Sequence, residues 1–159
     1  MTLKPMDRIA TCVGWVAITA ARLETVIGVI VAHLLDEEGS AELLGRSWSR
    51  VYEDAKKVYR DLVASALHAG DDVSAEACES FTRLLHDANN AMTRRHHVLH
   101  ATWTANRDVV TRDGASFAFR RHGAHDQKEW SLSELWELVE HINDLHQRTL
   151  SELARLVTV

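Results

Sequence analysis

Proline is nearly missing from this 159-residue chain, and the only one, Pro5, stands at the start of a long apolar pattern. A proline there costs nothing, because the N–H groups of a helix's first turn have no intrahelical partner. Neither an internal repeat nor a low-complexity segment is present, so a repeat array and a proline-rich linker are both excluded. Cysteine is scarce too. Cys12 and Cys78 are the only two, and they form no zinc-like spacing. They read as small, buried, reduced side chains of a cytosolic protein, with a disulfide between them as the lesser alternative.

Positive charge is also in deficit. Lysine and arginine number 18 against 23 acidic residues, a net charge of −5. The surface as a whole repels nucleic acid and anionic membranes, so a polyanion partner requires a local basic patch. An unbroken membrane-length apolar run is lacking as well. IATCVGWVAITAA, residues 9–21, follows Lys4 and Arg8 and superficially resembles a signal peptide, but Arg22 and Glu24 interrupt it well short of a span. The apolar pattern then continues to Leu35. It reads as the core-facing first helix of a cytoplasmic protein with no membrane role.

What is present is ordinary globular material, 46% hydrophobic and 26% charged, of a length that suits one domain over residues 1–159. Ile9, Val13, Val16, Ala20, Leu23, Ile27, Ile30, Val31 and Leu34 recur at steps of mostly three and four, which predicts one face of a first helix ended by DEEGS at 36–40. After a short turn around AELLG, a second helix from Ser47 and Trp48 carries Val51, Ala55, Val58, Leu62, Val63 and Ala66 and stops at Gly70. Asp71, Asp72 and Ser74 offer N-caps to a third. That helix carries Ala77, Phe81, Leu84, Leu85, Ala88, Ala91 and Met92 and runs towards His100.

Between Thr102 and Trp130 the period changes. TWTANRDVVT and ASFAFRRHG read as two short strands about a turn at Asp113-Gly114. Ser131 and Glu134 form a capping-box pattern, and Leu135, Leu138, Val139, Ile142, Leu145, Leu150, Leu153 and Leu156 line a last helix. The fold class is all-α: an antiparallel four-helix bundle with a small β-hairpin-like insert before the last helix.

The chemistry concentrates in NNAMTRRHHVLHATW, residues 89–103, where Arg94, Arg95, His96, His97 and His100 fall within seven positions. A guanidinium binds two phosphate oxygens at once and stabilises charge developing on them. Imidazole moves protons near neutral pH. RNA supplies its own nucleophile, the 2′-hydroxyl, so this pair of residue types suits RNA cleavage without a metal. From Arg94 to His122 the chain holds six arginines, adding Arg107, Arg112, Arg120 and Arg121, against only Asp108 and Asp113. That is a polyanion footprint in an acidic chain, or equally a hairpin kept soluble by its arginines.

Arg95-His96-His97-Val98-Leu99-His100 resembles the R-(Asn/Asp/His)-x-x-x-H signature of the HEPN superfamily of prokaryotic toxins and other RNA-targeting helical proteins. The four-helix layout, the early Leu23-Glu24 pair, the motif late in the third helix and a following tryptophan are similar too. Arg120 and His125 share the bare spacing, but only the first match has Asn, Asp or His directly after the arginine at the end of a long helix. The resemblance implies a metal-independent endoribonuclease of toxin type, leaving a 2′,3′-cyclic phosphate and acting as a homodimer, with an antitoxin protein as a further partner. By position, Arg95 would hold the scissile phosphate, His100 would act as general acid or base, and His96 takes the polar position where asparagine is commoner. Arg94, Arg107, Arg112, Arg120 and Arg121 would bind RNA. No cofactor is implied.

Geometry adds a condition. Five residues of a straight helix turn a side chain through about 500°, so Arg95 and His100 point about 140° apart. Either the helix ends or distorts before His100, as Trp103 and the following strand suggest, or another protomer completes the site.

Two other classes stand beside this one. A non-catalytic helical dimer would serve as a protein-interaction module. A metal-binding bundle would use His96 and His100, four residues apart on one helix face, with a carboxylate such as Glu24; spacing identifies no third ligand. The remaining histidines read as surface residues, Glu24 as partly buried and paired with an arginine, and the five tryptophans as core or rim aromatics.

Overall fold

The computed structural model describes residues 5–35, 46–105, 116–120 and 127–157. The architecture is the all-α four-helix bundle with a small β insert. In chain order the elements are α1 (Pro5–Leu34), α2 (Trp48–Ala69), α3 (Asp72–Leu99), β1 (Thr102–Ala105), β2 (Ser116–Arg120), β3 (Gln127–Ser131) and α4 (Leu132–Val157). The turn around AELLG and the Asp113-Gly114 turn lie outside the described residues.

Helix ends follow the local chemistry. At the end of α2, Gly70 takes the left-handed conformation with φ 72°. Its N–H bonds Leu67 O at 3.2 Å and the Asp71 N–H bonds Ala66 O at 2.9 Å, the paired bonds of a Schellman turn. The chain re-enters helix at once, because the Asp71 Oδ1 accepts from the Ser74 N–H at 3.0 Å and caps α3. Of the three expected caps, Asp71 is the one that acts at that N–H. The capping box forms in full at α4: Glu134 N–H donates to Ser131 Oγ at 3.1 Å, and Ser131 N–H donates to Glu134 Oε2 at 2.7 Å.

Contacts group the chain into two compact units, residues 1–20 with 91–143 and residues 21–90 with 144–159. In the first, Ile9, Cys12 and Val16 of α1 are buried, as are Met92, Val98, Trp130 and Leu135. In the second, Leu23, Ile27 and Ile30 are fully buried, and Tyr59 stacks on Phe81 with ring centroids 4.1 Å apart. Two facing aromatic rings together bury a large apolar area. Trp48 Nε1 donates to Asn89 Oδ1 at 3.1 Å, a second tie between α2 and α3. From Asp7 to Leu34, α1 is long and apolar enough to cross a membrane, and 56% of its most apolar window is buried within the fold.

Two expectations need adjusting. Leu62 and Leu150 lie on the solvent side, at 37% and 36% exposure, while Tyr59 and Thr149 take the buried positions. Thr149 succeeds there because its hydroxyl donates to Leu145 O at 2.7 Å, which leaves no donor unpaired in the core. The expected hairpin forms from β1 and β2, and a third strand, not expected, extends it into an antiparallel sheet in the order β1-β2-β3. The third strand carries Trp130, opposite Phe117, and its buried indole anchors the sheet's last strand at the start of α4.

Candidate active site

The end of α3 places the motif. The helix keeps its hydrogen bonding to the last residue, since the His100 N–H still reaches His96 O at 3.2 Å. Helix α3 ends at Leu99, just before His100 as expected, but this bond keeps His100 on the helical path, and the roughly 140° divergence of Arg95 and His100 stands. The chain then reverses into β1. Trp103 secures the reversal by donating its Nε1–H to Val98 O at 3.2 Å, which satisfies one of the carbonyls a helix C-terminus leaves open.

Each motif residue takes its own environment. Val98 is fully buried and Met92 nearly so, which turns one face of the terminal turns into the core. Arg94 is exposed, with its guanidinium carbon 5.7 Å from the centre of the Trp130 ring, a cation–π contact that ties α3 to β3. Arg95 is half-buried. Its Nε is shielded from solvent and has no hydrogen-bond partner. A guanidinium N–H that has left water without gaining an acceptor is costly.

His96 and His100 are both exposed and share one helix face, with their rings 4.4 Å apart and tilted by 48°. His97 is half-buried and meets His96 edge-on at 6.2 Å. The structure thus brings His96 and His100 together and sets Arg95 on a different side of the helix. Glu24 is half-buried on α1. Among the described residues no group of three or more His, Cys, Asp and Glu side chains could hold a metal ion.

Of the expected RNA-binding arginines, Arg107, Arg112 and Arg121 lie outside the described residues. Arg120 ends β2, paired with Thr102 of β1 and Gln127 of β3, and its side chain lies outside the described residues. The contact sequence reasoning missed is Arg94 with Trp130. Its signal would have been an arginine in the last turns of a helix and a tryptophan entering the next one, but nothing in the spacing sets the strand register that joins them. Comparisons with protein-family models, with curated proteins and with solved structures give no match.

Proposed function

We propose that this protein is a HEPN-like RNA-binding protein that cleaves RNA without a metal, acts as a homodimer in the cytoplasm, and is a toxin-type endoribonuclease with a protein antitoxin as a further partner. The observation that carries this reading is the Arg95 guanidinium, half-buried with an unpartnered Nε at the end of α3, one residue before a pair of exposed histidines in ring contact.

In the proposed reaction Arg95 holds the non-bridging oxygens of the scissile phosphate and stabilises the charge that builds on them. The 2′-hydroxyl attacks phosphorus and forms the new O–P bond while the bond to the 5′-oxygen breaks. One proton leaves the 2′-oxygen and one reaches the departing 5′-oxygen, so the products are a 2′,3′-cyclic phosphate and a 5′-hydroxyl. His100 handles one of these protons, and His96 orients its ring from 4.4 Å. Because Arg95 and His100 diverge on one chain, the arginine of one protomer works with the histidine of its partner. Arg94, Arg107, Arg112, Arg120 and Arg121 would track the RNA backbone.

RNA cleavage in the presence of a chelator, lost in Arg95→Ala and in His100→Ala, is the expected result. Cleavage undiminished in both variants would sink the assignment. The second reading, a non-catalytic interaction module, is favoured by Trp15, Ile18 and Trp136, which expose 42%, 47% and 41% of their surface. A dimer that never cuts RNA would support that reading instead.

A further inference from the structure

His96 and His100 stand four residues apart at the end of α3, exposed, with ring centres 4.4 Å apart. Two imidazoles at that spacing can hold one metal ion between them, as the paired histidines of zinc-binding helices do. The separation narrows the choice of ion. An ion about 2.1 Å from one nitrogen of each ring sets the ring centres about 4.5 Å apart at a right angle, and about 5.2 Å apart at a tetrahedral angle. The observed 4.4 Å fits the right angle. The 48° tilt also departs from the parallel stacking that would aim the ring nitrogens side by side.

The position suits a cation. Helix α3 ends at Leu99 with His96 in its last turn, where open carbonyls carry partial negative charge. Arg94 and Arg95 precede the pair, but by helical rotation each points about 100° or more away from either imidazole. The Arg94 guanidinium is drawn instead to the Trp130 ring. Among the described residues no third His, Cys, Asp or Glu joins the two histidines in a larger ligand set. The pair therefore supplies two adjacent positions and leaves the others to water. Nitrogen ligands at right angles suit Cu²⁺ and Ni²⁺ better than tetrahedral Zn²⁺, whereas Mg²⁺ and Ca²⁺ prefer oxygen.

We propose that His96 and His100 form a two-imidazole chelate for a divalent late transition-metal ion, Cu²⁺ or Ni²⁺, with water in its remaining positions. The second imidazole binds as an intramolecular ligand, so the pair holds the ion more tightly than either ring alone. A bound ion occupies a ring nitrogen of His100 and takes that ring out of proton transfer. This inhibition rests on the RNA-cleaving reading, whereas the binding itself does not and is tested without RNA.

The test is isothermal titration calorimetry of the full-length protein, free of any affinity tag, with nickel chloride. One Ni²⁺ per chain is the expected result, weakened at least about tenfold in His96→Ala and in His100→Ala. Two controls separate this pair from the chain's other histidines. His97 adjoins the pair, and His125 has His122 three residues before it, outside the described residues. His97→Ala and His125→Ala should therefore bind Ni²⁺ as the unmutated protein does. Unchanged affinity in both His96→Ala and His100→Ala, or an equal loss in either control, overturns the proposal. Zinc chloride binding more tightly than nickel chloride would overturn the assignment of the ion. Each variant is checked for native helicity and melting temperature, and if one of the pair does not fold, the other decides.

Discussion

The rings of His96 and His100 lie 4.4 Å apart, on successive turns of the last stretch of α3. Such proximity makes each ring part of the other's surroundings, so under the proposed chemistry their roles separate by what they touch. His100→Ala should lower single-turnover RNA cleavage by about 10²-fold or more, the usual cost of losing a general acid or base. His96→Ala should cost less, and the double variant no more than His100→Ala alone, because His96 acts through His100. Additive losses in the double variant would show that His96 meets the substrate itself.

The helical bond from the His100 N–H to His96 O makes a second prediction specific. With Arg95 and His100 about 140° apart, a composite site draws its arginine and histidine from different protomers. Arg95→Ala and His100→Ala are then each inactive alone, but mixing them after subunit exchange restores about a quarter of the unmutated activity. Half of the dimers are then mixed, and each of those keeps one intact site of two. No recovery, with exchange verified by mass spectrometry, would place both residues of a working site on one chain.

The capping box at α4 is the clearest local device in the chain. Ser131 and Glu134 exchange hydrogen bonds at 3.1 and 2.7 Å, satisfying two backbone N–H groups that the helix start leaves open. Ser131→Ala and Glu134→Ala should each cost about 1 kcal/mol in urea denaturation. Because the two bonds support one turn, the double variant should cost less than the sum of the singles.

That box was legible in advance because S-x-x-E acts over four residues of contiguous chain. The same holds for Gly70 and for the apolar face of α1, where Ile9, Val16, Leu23, Ile27 and Ile30 are all buried as their spacing predicts. What sequence left open depends on distant partners. Nothing near Tyr59 announces that its ring, rather than Leu62, is buried, since that follows from Phe81 arriving from the next helix. The third strand of the insert was hidden for the same reason, because QKEWS has no apolar alternation and is held by pairing with β2. At the candidate site the motif residues could be named, and their divergence calculated. The unpartnered Nε of Arg95 and the seat of Arg94 on Trp130 required the packing of the chain around them.

Gly70 offers a test of backbone strain free of packing. A Cβ added there meets nothing within 4 Å, so any cost of substitution comes from its φ of 72°. Gly70→Ala should destabilise the protein by about 1 kcal/mol, and Gly70→Asn by less, since asparagine tolerates the left-handed region better. Equal stability of the alanine variant and the unmutated protein in urea would show that the turn relaxes.

Tyr59 makes a prediction about alkaline pH. Burial, then the neighbouring Cys78 and Glu152, raise its phenol above the ordinary tyrosine range. Unfolding releases the phenol to its usual value of about 10. A group whose proton is held more tightly in the folded state contributes stability that is fully present below the unfolded value and is lost as pH rises beyond it. The melting temperature should therefore hold up to about pH 10 and then fall, as the unfolded chain ionises and the folded one does not. Tyr59→Phe removes the ionisable group while keeping the ring that stacks on Phe81 at 4.1 Å. Its melting temperature should fall less steeply between about pH 10 and pH 11 than that of the unmutated protein. Parallel curves for the two proteins would mean that Tyr59 does not govern the alkaline loss. The burial of its ring would then affect stability only through packing.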